Sequence, residues 1–423
     1  MRVLMFSWEY PPYVVGGLGQ HVAELLPALA DLPGLELHLV TPNWAHGEPV
    51  DRFGNVTVHR VDPPTPESDF YTTAWQANLR MEKHGQQLWA EAGPFDLIHV
   101  HDWLVAFVGS AMKHSFKVPL LSTIHATERG RGRGSLGSNQ ARAINNVEWL
   151  LAYDSWRIIA CSEYMAGEIT DYFKSPRDKI DVIPNGVNSA KFDLLAGQDL
   201  SYFRAMYALP NEQIVFHVGR IVYEKGIQVL IQATPLILGQ HPTAKIVIAG
   251  KGPELEACRA LAWGLGVGEK VLLTGFIADD DRNRLFKISS CAVFPSLYEP
   301  FGMVALQAMA ARCPVVVSEV GGLKEVVRHA ETGITIYPDN PESLAWGIVH
   351  TLQHPEWAVK RAESAYREVR DFFNWDRIAR STADVYDRII AERARANWQP
   401  PLLPIAPTCK DPSAKHPDNE ASR

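Results

Sequence analysis

The sequence predicts an α/β protein built from two doubly wound parallel sheets in series. Short apolar runs alternate with amphipathic helical stretches along both halves, and the series restarts after a mixed, polar stretch beyond residue 187. Most of the chemistry-bearing residues fall at or just past the carboxyl ends of apolar runs, where ligands of such sheets bind. The length, 423 residues, suits two domains of ordinary size, and the apolar share of 46% suits globular cores.

In the first half, residues 3–6 read as a buried strand and Gly16-Gly17 as a turn. Residues 18–30 follow helical spacing, with Leu18, Val22, Leu25, Leu26 and Leu29 on one face. Further strands are expected at 37–40, 97–100, 119–123, 157–160 and 179–183. His101-Asp102-Trp103 follows the strand at 97–100, and His125 follows the one at 119–123. In the second half, strands are expected at 214–218, 245–249, 271–274, 291–294, 315–317 and 333–336, with a helix over 226–237. Residues 343–395 read as helical, broken at Phe372-Phe373-Asn374-Trp375-Asp376, with a final helix from Trp375 to about residue 394. The domains therefore run over 1–190 and 191–375, followed by a helix over 376–395. The tail, 396–423, holds six prolines and reads as disordered.

Composition narrows the function. The net charge of −7, with no long basic run, does not favour a nucleic-acid surface. The basic cluster from Arg129 to Arg133 is interleaved with glycines and reads as a mobile loop, either plainly solvated or binding phosphate or an anionic substrate. Five scattered cysteines without CxxC spacing point away from disulfides and zinc and towards a reducing, cytoplasmic setting. The chain enters a strand at once, so no signal peptide is expected, and no run of about 20 apolar residues suggests a transmembrane helix. Peripheral membrane association stays open.

Two stretches carry the chemistry. His217-Val218-Gly219-Arg220 to Lys225-Gly226 puts two cations just past a strand. Glu299-Pro300-Phe301-Gly302-Met303-Val304 puts a carboxylate beside a glycine turn that opens a helix. Cations beside a helix N-terminus can hold a diphosphate, and a carboxylate can hold sugar hydroxyls. That pairing serves transfer of a sugar from a nucleoside diphosphate. Gly16 and Gly17 would let backbone N–H groups approach a phosphate, although a tight strand–helix turn needs the same residues. Asp279-Asp280-Asp281 resembles a metal-binding DxD, but its place just before the helical 282–288 reads as a helix cap.

Taken together, these motifs resemble the retaining GT-B glycosyltransferases, in particular the glycogen and starch synthases and their family-four relatives. The matching residues are Ser7-Trp8-Glu9-Tyr10-Pro11-Pro12, Gly16-Gly17-Leu18-Gly19, His101-Asp102-Trp103, His125, Pro184-Asn185-Gly186-Val187, Gly219-Arg220, Lys225-Gly226 and Glu299-Pro300-Phe301-Gly302. The Phe373-Asn374-Trp375 segment resembles the crossover that returns the last helix to the first domain.

The resemblance implies two Rossmann-like domains facing a cleft, an acceptor domain first and a donor domain second. It implies hexosyl transfer with retention, from ADP- or UDP-glucose to a glucan or sugar acceptor, with no metal in the site. Arg220 and Lys225 would neutralise the leaving diphosphate. Glu299 would hold the donor sugar, helped by backbone N–H groups from Phe301, Gly302, Met303 and Val304. His125 would stand beside the donor sugar, and Asp102 and Asn185 would contact sugar or acceptor unless they are buried caps.

Two positions depart from the family pattern. Val14 replaces a lysine usual in bacterial glycogen synthases, and Gln307 replaces the second glutamate, eight positions after Glu299, that grips the ribose. Sucrose-type, mannosyl or envelope-sugar transfer, a GT-B-shaped epimerase and a silent sugar-binding protein remain alternatives.

Overall fold

The computed structural model describes residues 1–67 and 69–396. All of the predicted tail beyond residue 396 lies outside the described residues.

Two open sheets form the frame. The first contains β1 (Arg2–Phe6), β2 (Glu36–Pro42), β3 (Val50–Phe53), β4 (Val56–Val61), β5 (Leu97–His101), β6 (Leu120–Ile124), β7 (Arg157–Ala160) and β8 (Ile180–Val182). Its order is β3-β4-β2-β1-β5-β6-β7-β8, and only β3 runs antiparallel. The second contains β9 (Gln213–Val218), β10 (Ala244–Ala249), β11 (Val271–Gly275), β12 (Cys291–Phe294), β13 (Val315–Ser318) and β14 (Ile334–Ile336). Its order is β11-β10-β9-β12-β13-β14, with every pair parallel. In both sheets the strand order reverses beside the strand that opens the series. That reversal leaves a crevice at the carboxyl ends of β1 and β5, and another at those of β9 and β12.

Helices cover both faces, so β1, β5, β6, β12 and β13 are almost wholly buried and read as continuous apolar runs rather than alternating ones. The β3–β4 hairpin, joined at Gly54-Asn55, was absent from the sequence expectation. Its outer strand is short and mixed in polarity, as edge strands are. One apolar cluster joins the lobes: Ile124, Met165 and Phe173 of the first pack in it with Phe216, Phe301 and Leu306 of the second.

The acidic run Asp279-Asp280-Asp281 does not cap its helix. The helix begins at Asp279, its N-cap is Ala278, and the carboxylates lie in the first turn. There they favour the positive end of the helix dipole, and Asp279 and Asp281 also pair with Arg282 (2.8 Å) and Arg284 (3.3 Å).

The last helix, Trp375–Arg395, starts at Trp375 as the sequence indicates, because Asn374 caps it by accepting from the Arg377 N–H. It lies on the first domain. Trp375 donates its indole N–H to Glu24 (2.6 Å), and a Cβ on Gly186 would sit 2.8 Å from its ring. Further along, Tyr386 bonds His99 (2.8 Å), Arg388 pairs with Asp181 (2.6 Å) and Glu392 accepts from Trp156 and Arg157 (2.8 and 2.9 Å). Trp375→Ala is expected to cost about 3–5 kcal/mol of stability. A urea titration that returned wild-type stability would remove the anchoring role.

Candidate functional site

The donor-side motifs are tied together before any ligand enters. Gly226, at φ 69, starts the helix Ile227–Gln240, and a Cβ there would overlap the Pro295 carbonyl oxygen. This close approach lets the loop after β12 lie against the loop after β9, where Leu297 N–H donates to the Glu224 carbonyl (2.8 Å). The contact brings Lys225 Nζ to 2.7 Å from Glu299 Oε2, with Ser296 Oγ donating to the same oxygen at 3.3 Å. Both side chains keep partial access to solvent, 20% for Lys225 and 17% for Glu299. Arg220 is placed differently: its guanidinium pairs with Glu224 at 3.6 Å and is 54% exposed. The predicted cation pair is thus one half-buried lysine on Glu299 and one open arginine on the adjoining turn.

Gly302, at φ 113, opens the helix Met303–Ala310, where a Cβ would lie 2.7 Å from Leu323. The N-terminus of that helix meets the first helix of the other lobe, Gly17–Ala30, since a Cβ on Gly17 would be 3.8 Å from Met303 Cγ. Two positive helix ends therefore converge in the cleft. The Gly16 amide is not free for a phosphate. Glu9 Oε2 accepts from Val15 N–H (2.7 Å) and Gly16 N–H (3.1 Å), so only the first-turn amides beginning at Gly17 remain for a ligand. Phe301 is buried in the shared core, which leaves its backbone rather than its ring for a ligand. Val304 is the second residue of the helix Met303–Ala310, in its first turn.

Gln307 is buried, and its Oε1 has no hydrogen-bond partner. This environment excludes an exposed helix position and leaves an acceptor unused. His217, buried at the end of β9, donates Nδ1–H to the Val293 carbonyl (2.8 Å), and its Nε2 lacks a partner. Burial and nearby Lys225 hold its pKa down at about 4. A neutral ring with a free acceptor nitrogen thus stands beside the Lys225–Glu299 pair, a placement the sequence reading did not give it.

In the first lobe, Asp102 occupies a left-handed conformation (φ 61) between β5 and a short 3-10 turn. Its carboxylate accepts the His125 N–H at 2.6 Å, so it fixes the strand-end loop that carries His125. Asn185 is likewise buried and bonds His21 Nδ1 (2.7 Å). Both behave as buried braces, the plainer of their two expected roles. The His21, His101 and His125 nitrogens lie within 4.8 Å of one another, a spacing open to a metal. His101 Nδ1 and His125 Nε2 already share a hydrogen bond (3.2 Å). Burial depresses all three pKa values, with His125 at about 3, so these rings are neutral at physiological pH.

Arg131 was read as part of a mobile loop. It instead ends the short helix Glu128–Arg131, half-buried near Asp102, Glu148 and Tyr298. Burial raises Asp102 to about 6 and Glu148 to about 8, with Arg131 opposing both shifts. Glu148 accepts twice from the Glu128 N–H, at 2.8 and 3.1 Å.

The lobes are latched around this cleft. Ser162 Oγ donates to the Pro300 carbonyl (2.7 Å), inside the Glu299 motif. Glu325 accepts from the Glu163 and Tyr164 amides (2.9 and 2.8 Å), placing a second-domain carboxylate at the start of a first-domain helix.

Comparison with known proteins assigns this architecture to the GT-B class of glycosyltransferases. Residues 203–368 match the family described as Glycosyl transferases group 1, and residues 15–191 match Glycosyltransferase Family 4. An uncharacterized glycosyltransferase of Methanocaldococcus jannaschii is 39% identical over 91% of this chain and 98% of its own length. The glycogen synthase of Mycobacterium tuberculosis is 35% identical over 96% of this chain and 98% of its own. The sucrose-phosphate synthase of Thermosynechococcus elongatus superimposes with a TM-score of 0.77 at 25% identity, covering 92% of this chain and 99% of that one. The chain belongs to the family-four group of GT-B glycosyltransferases. No helix among the described residues is long and apolar enough to cross a membrane.

The raised Glu148 pKa has a defined consequence. The folded chain holds a proton that the unfolded chain releases above about pH 4.5, so Glu148 lowers stability as pH rises towards 8. The buried histidines act in the opposite sense, but only below about pH 6.5, their ordinary value. Between pH 6.5 and 8, Glu148→Gln should therefore flatten the fall in urea midpoint. An unchanged slope would place that proton elsewhere.

Proposed function

We propose that the protein transfers a hexosyl unit, with retention of configuration, from ADP- or UDP-glucose to a glucan acceptor, as a glycogen synthase does. The observation that carries this reading is the 2.7 Å contact between Lys225 and Glu299 at the mouth of the Met303–Ala310 helix. A cation and a carboxylate that close can serve one small molecule, the diphosphate at the ammonium and the sugar hydroxyls at the carboxylate. The full-length likeness to a glycogen synthase supports the choice of acceptor.

Charge grows on the diphosphate as the glycosidic bond breaks. Lys225, the N–H groups opening the Met303–Ala310 helix and Arg220 on its adjoining turn are suited to meet it there. The reading invokes front-face attack, in which a leaving phosphate oxygen receives the acceptor's proton. The neutral His125 ring and its backbone carbonyl would face the sugar's developing positive charge. Asp102 acts through His125 as a positioning residue. The reading requires no metal or other cofactor.

Radiolabelled ADP-glucose and UDP-glucose, each offered with glycogen or maltooligosaccharides, test the reaction. Chain extension with an α-linkage supports it. Transfer only to a non-glucan acceptor, donor epimerisation without transfer, or no turnover would replace it. Lys225→Ala should lower kcat by about two decades, since one electrostatic stabiliser is worth roughly 3 kcal/mol. Wild-type turnover of that variant would discard its role.

The bond from Gln307 to a ribose hydroxyl would be neutral where a glutamate's would be charged, a difference of about 1 kcal/mol. Gln307→Glu should accordingly lower the donor KM several-fold with little change in kcat. An unchanged or raised KM counts against ribose contact.

A further inference from the structure

Four imidazoles stand together in the first lobe: His21 on the helix Gly17–Ala30, His99 and His101 on β5, and His125 just past β6. His99 is fully accounted for, since its Nδ1 pairs with the Tyr386 hydroxyl and its Nε2 with the Thr123 hydroxyl, both at 2.8 Å. The other three are not. Each of His21, His101 and His125 offers one nitrogen within 4.8 Å of those of the other two. Among the described residues, each also keeps one ring nitrogen without a hydrogen-bond partner, and that of His101, Nε2, is wholly buried.

The spacing is that of a ligand set. His101 Nδ1 and His125 Nε2 are 3.2 Å apart. Two nitrogens bound to one tetrahedral metal at the usual zinc–imidazole bond length lie about 3.3 Å apart. A metal would therefore take the place of the proton that the two rings now share. The third ring is oriented from outside the group. Asn185 Oδ1 accepts from His21 Nδ1–H at 2.7 Å, which leaves the ring's lone pair on Nε2. A hydrogen bond of this kind on the far nitrogen is what fixes the tautomer and direction of metal-binding histidines. Trp375 of the returning helix packs edge-on against the same ring, with centres 5.4 Å apart.

The electrostatics agree. Burial keeps all three rings unprotonated at neutral pH, so a metal does not compete with protons for their lone pairs. Asp102, whose carboxylate accepts the His125 N–H at 2.6 Å, supplies negative charge beside the group. His125 is only partly buried, so an ion reaches the cluster from its side. Three imidazoles without a carboxylate or thiolate suit Zn²⁺, Cu²⁺ or Ni²⁺, whereas Mg²⁺ and Ca²⁺ prefer oxygen ligands.

From this geometry we infer that His21, His101 and His125 form a binding site for a transition-metal ion such as Zn²⁺, and that its occupancy blocks sugar transfer. The blocking effect rests on the proposed function, in which His125 faces the donor sugar. The anomeric carbon gains positive charge as the diphosphate leaves. A divalent cation held on the His125 ring would oppose that charge and raise the barrier. The metal is thus a regulator of the reaction and not a participant in it.

Titration of the metal-free full chain tests the site, with Zn²⁺ followed by calorimetry and with Co²⁺ followed by its visible ligand-field absorption. One saturable ion per chain is expected, with Kd in the micromolar range or tighter. His21→Gln and His101→Gln should each weaken binding about tenfold or more. His350→Ala, in a histidine pair on the other lobe, should leave it unchanged. Circular dichroism reports whether the two buried variants fold; His125→Ala, at the partly exposed position, decides the question if they do not. Excess Mg²⁺ should not displace the ion. Zn²⁺ should suppress transfer, and EDTA should restore it. Absence of binding, binding indifferent to His125→Ala, or displacement by Mg²⁺ would overturn the site. Full turnover with the ion bound would overturn the block. The binding measurements use no donor or acceptor, so they decide the site even if the proposed reaction itself fails.

Discussion

The arrangement of the donor side depends on one close approach, the loop after β12 lying against the turn that starts the Ile227–Gln240 helix. Only a residue without Cβ fits at position 226, because the Pro295 carbonyl oxygen occupies the space a side chain would need. From that contact follow the Leu297–Glu224 backbone bond and the 2.7 Å bridge from Lys225 to Glu299. The bridge is partly exposed, so its net contribution to stability is small. Its value lies in position: it holds opposite charges ready at the mouth of a helix whose dipole favours an anion.

The first lobe supplies the complementary surface by bracing rather than by free charge. Glu9 gathers the amides of Val15 and Gly16, Asp102 holds the His125 amide, and Asn185 holds His21. These polar groups are nearly all buried, and each has a named partner, as buried polar groups require. The result is a rigid wall of neutral imidazoles opposite the charged donor lobe. Trp375, wedged between Glu24, His21 and Gly186, carries the returning helix onto the back of that wall. The Ser162–Pro300 and Glu325–Glu163 bonds then set the distance between the lobes.

Much of this frame was legible in the sequence because fully buried parallel strands leave plain apolar runs, such as Val3 to Phe6 or Val315 to Val317. The β3–β4 hairpin was not, since an edge strand such as Val50-Asp51-Arg52-Phe53 need not be apolar. Site residues next to glycine turns were found through the turns. Those that act as braces were harder to read. Glu9 lay inside a recognised motif, but a carboxylate bonded to its own loop looks, in sequence, like any other glutamate. His21 falls on the apolar face of a helix and gives no local signal. Arg131 was misread because the glycines around it suggest mobility, whereas Thr127 caps the turn and Asp102 and Glu148 draw the guanidinium inward. His217 reveals itself only by a ring nitrogen that lacks a partner, whereas Gln307 stood out in the sequence and the structure adds its burial and its unused acceptor.

A crystal structure of the full chain with ADP or UDP bears most directly on the central claim. The account predicts that the diphosphate lies within about 3 Å of both Lys225 Nζ and the backbone N–H groups that open the Met303–Ala310 helix. A diphosphate bound elsewhere, with Lys225 still engaged only by Glu299, would contradict it.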